Sequence, residues 1–138
     1  MGIPVASWGT NPTVAEALIS HLQPEFEVVH VALGTEAALS ELPTLASGDV
    51  NVTPSSGLGT NVGVDVDARK APKAIILGGG LVKDDIEKLK ENLTTAAPDV
   101  KTVPITQADI DKYLDSTQPE IFAIAKALKA NLTAALQG

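Results

Sequence analysis

AIILGGGLVKDDIEKL, residues 74–89, is the stretch that decides the fold. Ala74–Leu77 is a short aliphatic run, too short for a helix and right for a buried strand. Gly78-Gly79-Gly80 follows, and then Val82, Ile86, Leu89 and Leu93 recur at helical spacing. A buried strand turning directly into an amphipathic helix is the repeating unit of a parallel α/β sheet. The glycines allow two readings: a bare cradle that lets a ligand approach, or the turn that any such unit needs.

The same unit recurs on both sides. Ile3–Ser7 reads as a first strand, and "TNPTVAEALISHL" opens a helix, with Asn11 as its cap and Pro12 at the first helical position. Val14, Leu18 and Leu22 form its apolar stripe. Phe26–Leu33 reads as a second strand, and Thr35 opens a second helix bearing Leu39, Leu42 and Leu45, with a break or kink expected at Pro43. Lys101–Ile105 reads as a fourth strand. Thr106 with Asp109, and Thr117 with Glu120, have the spacing of capping boxes for two last helices, the second running to about Leu136. Residues 49–72 stand apart. Val50/Val52 and Val62/Val64/Val66 alternate around a Pro-Ser-Ser-Gly turn, which suggests a hairpin-like excursion or a long loop.

The expected architecture is a single α/β domain over residues 1–138, with three layers around a four-stranded, mostly parallel sheet. Right-handed crossovers make 2-1-3-4 the simplest strand order. The layout is similar to a shortened flavodoxin-like, Rossmann-like or receiver-like domain, in architecture and without a shared motif. Trp8-Gly9-Thr10 and Gly78-Gly79-Gly80 stand where a receiver would need its acidic residues.

Composition narrows the function classes. Aromatics are 3% of the chain against 44% hydrophobic residues, so the core is aliphatic. With no cysteine, a disulfide framework, a thiolate metal site and a Cys nucleophile are all excluded. The net charge is −7, and eight of the seventeen acids face only two bases over residues 1–72. No basic cluster exists to neutralise a phosphate backbone, so nucleic acid is not an expected partner. No apolar run approaches the roughly 20 residues of a membrane span. The opening MGIPVASWG has no basic, apolar signal pattern, and the expectation is a cytoplasmic protein without a membrane partner.

In a parallel sheet of this order, ligands bind beyond the carboxyl ends of strands one and three. That places the candidate site at Ser7, Trp8, Gly9, Thr10 and Asn11 after the first strand and at Gly78, Gly79 and Gly80 after the third. Ser55, Ser56, Thr60 and Asn61, from the hydroxyl-rich excursion, are candidates for a lid over it. Trp8 is placed to stack on a flat guest or to cover the sheet end. Asp84 and Asp85 already complement the dipole of the third helix and disfavour a phosphate there. There is no P-loop, and the Gly57-Leu58-Gly59 string precedes no helix, so a dinucleotide fingerprint fails as well. No metal site and no particular cofactor is indicated. Catalytic groups are scarce: His21 reads as solvated and His30 as packed in its strand. Asp65 and Asp67 alone make a poor cation site.

Two functional readings follow. One is a small-ligand-binding domain, acting on or holding a small polar molecule, with enzymatic activity left open. The other is a non-catalytic interaction module, self-associating through the last helix or the Val62–Val66 edge. On the last helix, Ala123, Ala127, Ala130 and Ala134 lie opposite the Ile121, Ile124, Leu128, Leu132 and Ala135 stripe, a smooth face suited to a homodimer or simply rich in a good helix former.

Overall fold

The computed structural model describes residues 2–78, 81–114, 116–117 and 119–137. Four strands, β1 (Ile3–Gly9), β2 (Phe26–Leu33), β3 (Ala74–Leu77) and β4 (Lys101–Pro104), form one sheet of order β2-β1-β3-β4 with every pairing parallel. The helices between them are α1 (Pro12–His21), α2 (Thr35–Ala46) and α3 (Lys83–Ala96). After β4 come α4 (Gln107–Tyr113) and α5 (Glu120–Gln137). This is the expected three-layer α/β arrangement. One face of the sheet packs against α1 and α5 through Val5, Val28, Val31, Ile76, Leu18, Leu128 and Leu132. The other packs against α2 and α3 through Ala6, Trp8, Ile75, Leu42, Leu89 and Leu93.

The helix starts follow local chemistry. Asn11 Oδ1 accepts from the Thr13 and Val14 amides at 2.9 and 3.4 Å, and Pro12 opens α1 where no N–H is needed. Thr106 caps α4 by accepting from the Asp109 amide at 3.2 Å. Thr35 is the first residue of α2 and does not cap it; the cap is Gly34, and the Thr35 hydroxyl donates to Asp85 Oδ2 on α3 at 2.9 Å. The break expected at Pro43 does not occur there. Helix α2 runs through it to Ala46, so the proline sits in the last turn, where its missing N–H removes a single ladder bond. Val82 leaves the apolar stripe of α3 because the helix begins one residue later. It is 60% exposed, and Leu81 packs in its place.

Two features of β2 were not foreseen. Its register against β1 steps from Val5–Val28 to Ala6–His30, so Val29 is passed over. Side chains on either side of such a step exchange faces. Phe26 and Val28 point to the α1–α5 layer, and beyond the step Val31 does so while Ala32 points to α2. The second feature is what covers its outer edge. Residues 49–72 contain no strand pairing among the described residues, only turns and a short 3-10 helix at Val66–Ala68. Instead of a hairpin, the segment lays Leu58–Asn61 along β2. The Val31 amide donates to Leu58 O, and the Thr60 and Asn61 amides donate to Val28 O and Val29 O. An edge strand is thereby closed to further pairing.

Candidate functional site

At the carboxyl ends of β1 and β3 the sheet opens into a cavity of about 320 Å3 on the α1–α5 side. Strand alternation explains which residues reach it. Val5 and Ser7 face α1 and α5, whereas Ala6 and Trp8 face α2 and α3. Ser7, Gly9, Thr10 and Asn11 line the cavity from the end of β1 and its turn, and Gly78 from the end of β3. Gly78 lies close against β1: its amide donates to Trp8 O at 2.7 Å. The remaining wall is aliphatic, with Val14, Ala15 and Leu18 from α1 and Ile105, Ile110 and Ile124 from β4's far end, α4 and α5.

Ser7 is the unusual member of this wall. It is only 4% exposed, yet its hydroxyl makes no hydrogen bond to a described residue. A buried hydroxyl normally finds a partner. Here it opens onto the cavity.

The structure separates the other candidates from this group. Trp8 is fully buried in the α2–α3 layer, one residue out of phase with Ser7. Ser55, Ser56, Thr60 and Asn61 lie outside the cavity lining, and the side chains of Ser56, Thr60 and Asn61 are engaged elsewhere. The Ser56 hydroxyl donates to Val31 O at 2.6 Å, and Thr60 donates to Glu27, which also pairs with Lys70 at 2.7 Å. Buried Asn61 exchanges two 3.0 Å bonds with the Lys70 backbone, and the Ser55 amide donates to Glu41. Gly79 and Gly80 lie outside the described residues.

The titratable groups fall elsewhere. His30 is fully buried, packed as its place in a strand suggested. Its Nε2–H donates to Glu41 Oε1 at 2.8 Å, and Nδ1 is buried without a partner among the described residues, as is the Trp8 indole N–H. Burial pushes the His30 imidazole below its ordinary range, against the pull of Glu41. Near the cavity, Asp109 accepts from the Thr106 hydroxyl at 2.7 Å and from Asn131 Nδ2 at 3.1 Å, and these bonds hold its carboxyl below the usual range. His21 stacks edge-on against Phe122, with ring centroids 4.6 Å apart. Asp65 precedes the short 3-10 turn and Asp67 lies within it, both on the surface, and they share no strand face. Of the alanine face on α5, Ala123 and Ala127 are buried, while Ala130 and Ala134 are exposed.

The aliphatic wall was missed because Val14, Leu18 and Ile124 carry the same helical spacing as any core stripe. Glu41 was missed too, although an acid among Ala38, Leu42 and Leu45 on one helix face was a readable signal.

The fold and cavity together define a parallel α/β domain with a pocket at its topological switch point. No protein-family model matches the chain. It is similar to a protein of Aspergillus oryzae (strain ATCC 42149 / RIB 40) called Kojic acid related protein 6, with 33% identity over 134 residues. The match covers 95% of this chain and 76% of that protein. The chain belongs to the family of that protein. No helix among the described residues is long and apolar enough to cross a membrane.

Proposed function

We propose that this domain binds a small molecule in the cavity between β1, β3, α1, α4 and α5. The observation that carries the reading is Ser7: a residue only 4% exposed, whose hydroxyl has no hydrogen-bond partner among the described residues and lines a mainly apolar cavity. A volume of about 320 Å3 is at the lower end of the roughly 300–1,000 Å3 usual for small-molecule sites. The lining residues Ser7, Thr10 and Asn11 can position a guest, and the described lining side chains carry no ionisable group, so the reading is one of binding. The burial of Ala123 and Ala127, with α4 packed on α5, favours this reading over self-association through the alanine face.

The test is a thermal-shift screen of small metabolites, with kojic acid, the compound in the relative's name, included. A guest at ten times its Kd adds about 1.4 kcal/mol, which for a chain of this size raises Tm by about 5 °C. Gly9→Val serves as the blocked variant. An added Cβ at Gly9 meets nothing within 4 Å, and by strand alternation it projects on the Ser7 side. A stabilising compound whose effect Gly9→Val removes supports the site. Shifts that persist in Gly9→Val, or no shift with any compound, refute it.

A further inference from the structure

We infer that the guest of this pocket is a small uncharged molecule: a mainly apolar body with one hydrogen-bonding group that meets Ser7. The inference rests on the binding reading above and adds the ligand class. The size class follows from the cavity, since about 320 Å3 lies at the small end of small-molecule sites.

The charge follows from what the pocket lacks and what it has already used. A helix N-terminus at a switch point normally supplies free N–H groups for an anion. At α1 they are taken. Pro12 has none, Thr13 and Val14 donate to Asn11 Oδ1, and Ala15 donates to Asn11 O at 3.1 Å. No Lys, Arg or His stands in the lining among the described residues. Among the described residues a charged group beside the lining in sequence is Asp109, in the α4 turn between the lining residues Ile105 and Ile110. Its bonds to Thr106 and Asn131 keep it ionised, so it repels an anion. Nor does it serve a cation well, because its half-buried carboxylate is already engaged by two donors. Burying an unpaired charge among Val14, Ala15, Leu18, Ile110 and Ile124 is strongly unfavourable. A neutral apolar body gains from the same wall, and a hydroxyl or carbonyl on it satisfies Ser7.

A matched series tests this on the intact chain: cinnamyl alcohol, cinnamate, cinnamyl phosphate, cinnamylamine and the apolar allylbenzene. Binding is followed by the amide NMR shifts of Ser7, Gly9 and Val14. The alcohol is expected to bind about tenfold or more tightly than either anion or the amine. Ser7→Ala is expected to weaken the alcohol about three- to tenfold while leaving allylbenzene unchanged. Ser7→Cys, which keeps the side chain's shape but replaces the hydroxyl with a slightly larger, weakly hydrogen-bonding thiol, is the second variant should the alanine protein fail to fold, and the same selective loss is expected of it. Tighter binding of cinnamate, the phosphate or the amine overturns the uncharged class and leaves the pocket standing. Equal weakening of alcohol and allylbenzene overturns the role of Ser7. If the whole series is silent while another compound's shift is blocked by Gly9→Val, the ligand class fails and the binding reading survives. If no compound of any kind binds, both fail.

Discussion

Gly59→Ala should be among the most damaging alanine substitutions in this chain, although it adds one methyl group to a loop. Gly59 lies at φ +114°, and a Cβ built there falls 2.4 Å from Val29 O, 2.6 Å from Val29 C and 2.8 Å from His30 Cα. These are backbone atoms of β2, and no rotamer change can move them aside. The positive φ alone costs about 1–3 kcal/mol for a residue with a side chain. Forcing a methyl group into a packed site costs about 1–3 kcal/mol more. The expected loss is therefore about 2–6 kcal/mol, or a fall in Tm of roughly 7–20 °C for a chain of this length. Gly57 is the control: it too has positive φ, +74°, but nothing lies within 4 Å of its Cβ position. Gly57→Ala should cost only about 1 kcal/mol. Urea unfolding of the three proteins measures the difference directly. Because Leu58–Asn61 caps the β2 edge, Gly59→Ala should also aggregate faster near its transition. Equal midpoints for the Gly57 and Gly59 variants would refute the claim that this segment is seated on the strand, and would return it to the role of a free lid.

Two further outcomes concern the caps and the buried histidine. Asn11→Ala removes the acceptor for the Thr13 and Val14 amides and should cost about 1 kcal/mol in urea unfolding; by freeing those N–H groups it should also improve binding of the anionic cinnamate, and an unchanged anion affinity would count against the account of α1 given above. His30 titrates below its ordinary value when folded, so between that folded value and about 6.5 the unfolded chain binds more protons. Stability from this group is complete above about pH 6.5 and is lost as pH falls below it. Glu25, Glu27 and Asp109, also held low, act in a separate window below about pH 4.5. Tm should thus fall between about pH 6.5 and 5 in the wild type and change much less in His30→Gln, where the amide can still donate to Glu41; parallel profiles for the two would exclude His30 as the source.

The sheet order and most strand and helix limits were legible because they depend on local patterns: aliphatic runs for Phe26–Leu33 and Ala74–Leu77, helical spacing at Leu18 and Leu22, the Asn11-Pro12 start. Part of the candidate site was legible too, since topology alone sends Ser7–Asn11 and Gly78 to the same end of the sheet. The rest depends on tertiary facts. The alternating valines at 62–66 have the spacing of a strand but no partner, because Leu58–Asn61 takes the β2 edge first. Ser7 and Trp8 are adjacent in sequence and lie on opposite faces, a separation that depends on strand phase and not on residue type. The passed-over Val29 could not be read from composition, because both neighbours and the residue itself are apolar or packed.

The two faces of the sheet solve their packing differently, and the contrast gives Gly9 a sharper role than that of a turn residue. On the α2–α3 side the only tryptophan fills the space over β1, fully buried. On the α1–α5 side the corresponding end of β1 carries Ser7 and Gly9, with Ala15 opposite, and a cavity of about 320 Å3 remains. Nothing in the backbone requires that emptiness. Gly9 does not have positive φ, and a Cβ there would meet no atom within 4 Å. A β-branched residue at a strand position gains about 0.5–1 kcal/mol over glycine from backbone restriction alone. Gly9→Val should therefore raise Tm by about 2–3 °C while abolishing ligand binding. A site maintained at the expense of stability behaves in this way, whereas a packing defect filled by the same substitution would gain stability and lose no function. If Gly9→Val lowers Tm and leaves binding intact, the space beside Ser7 is not where the guest sits.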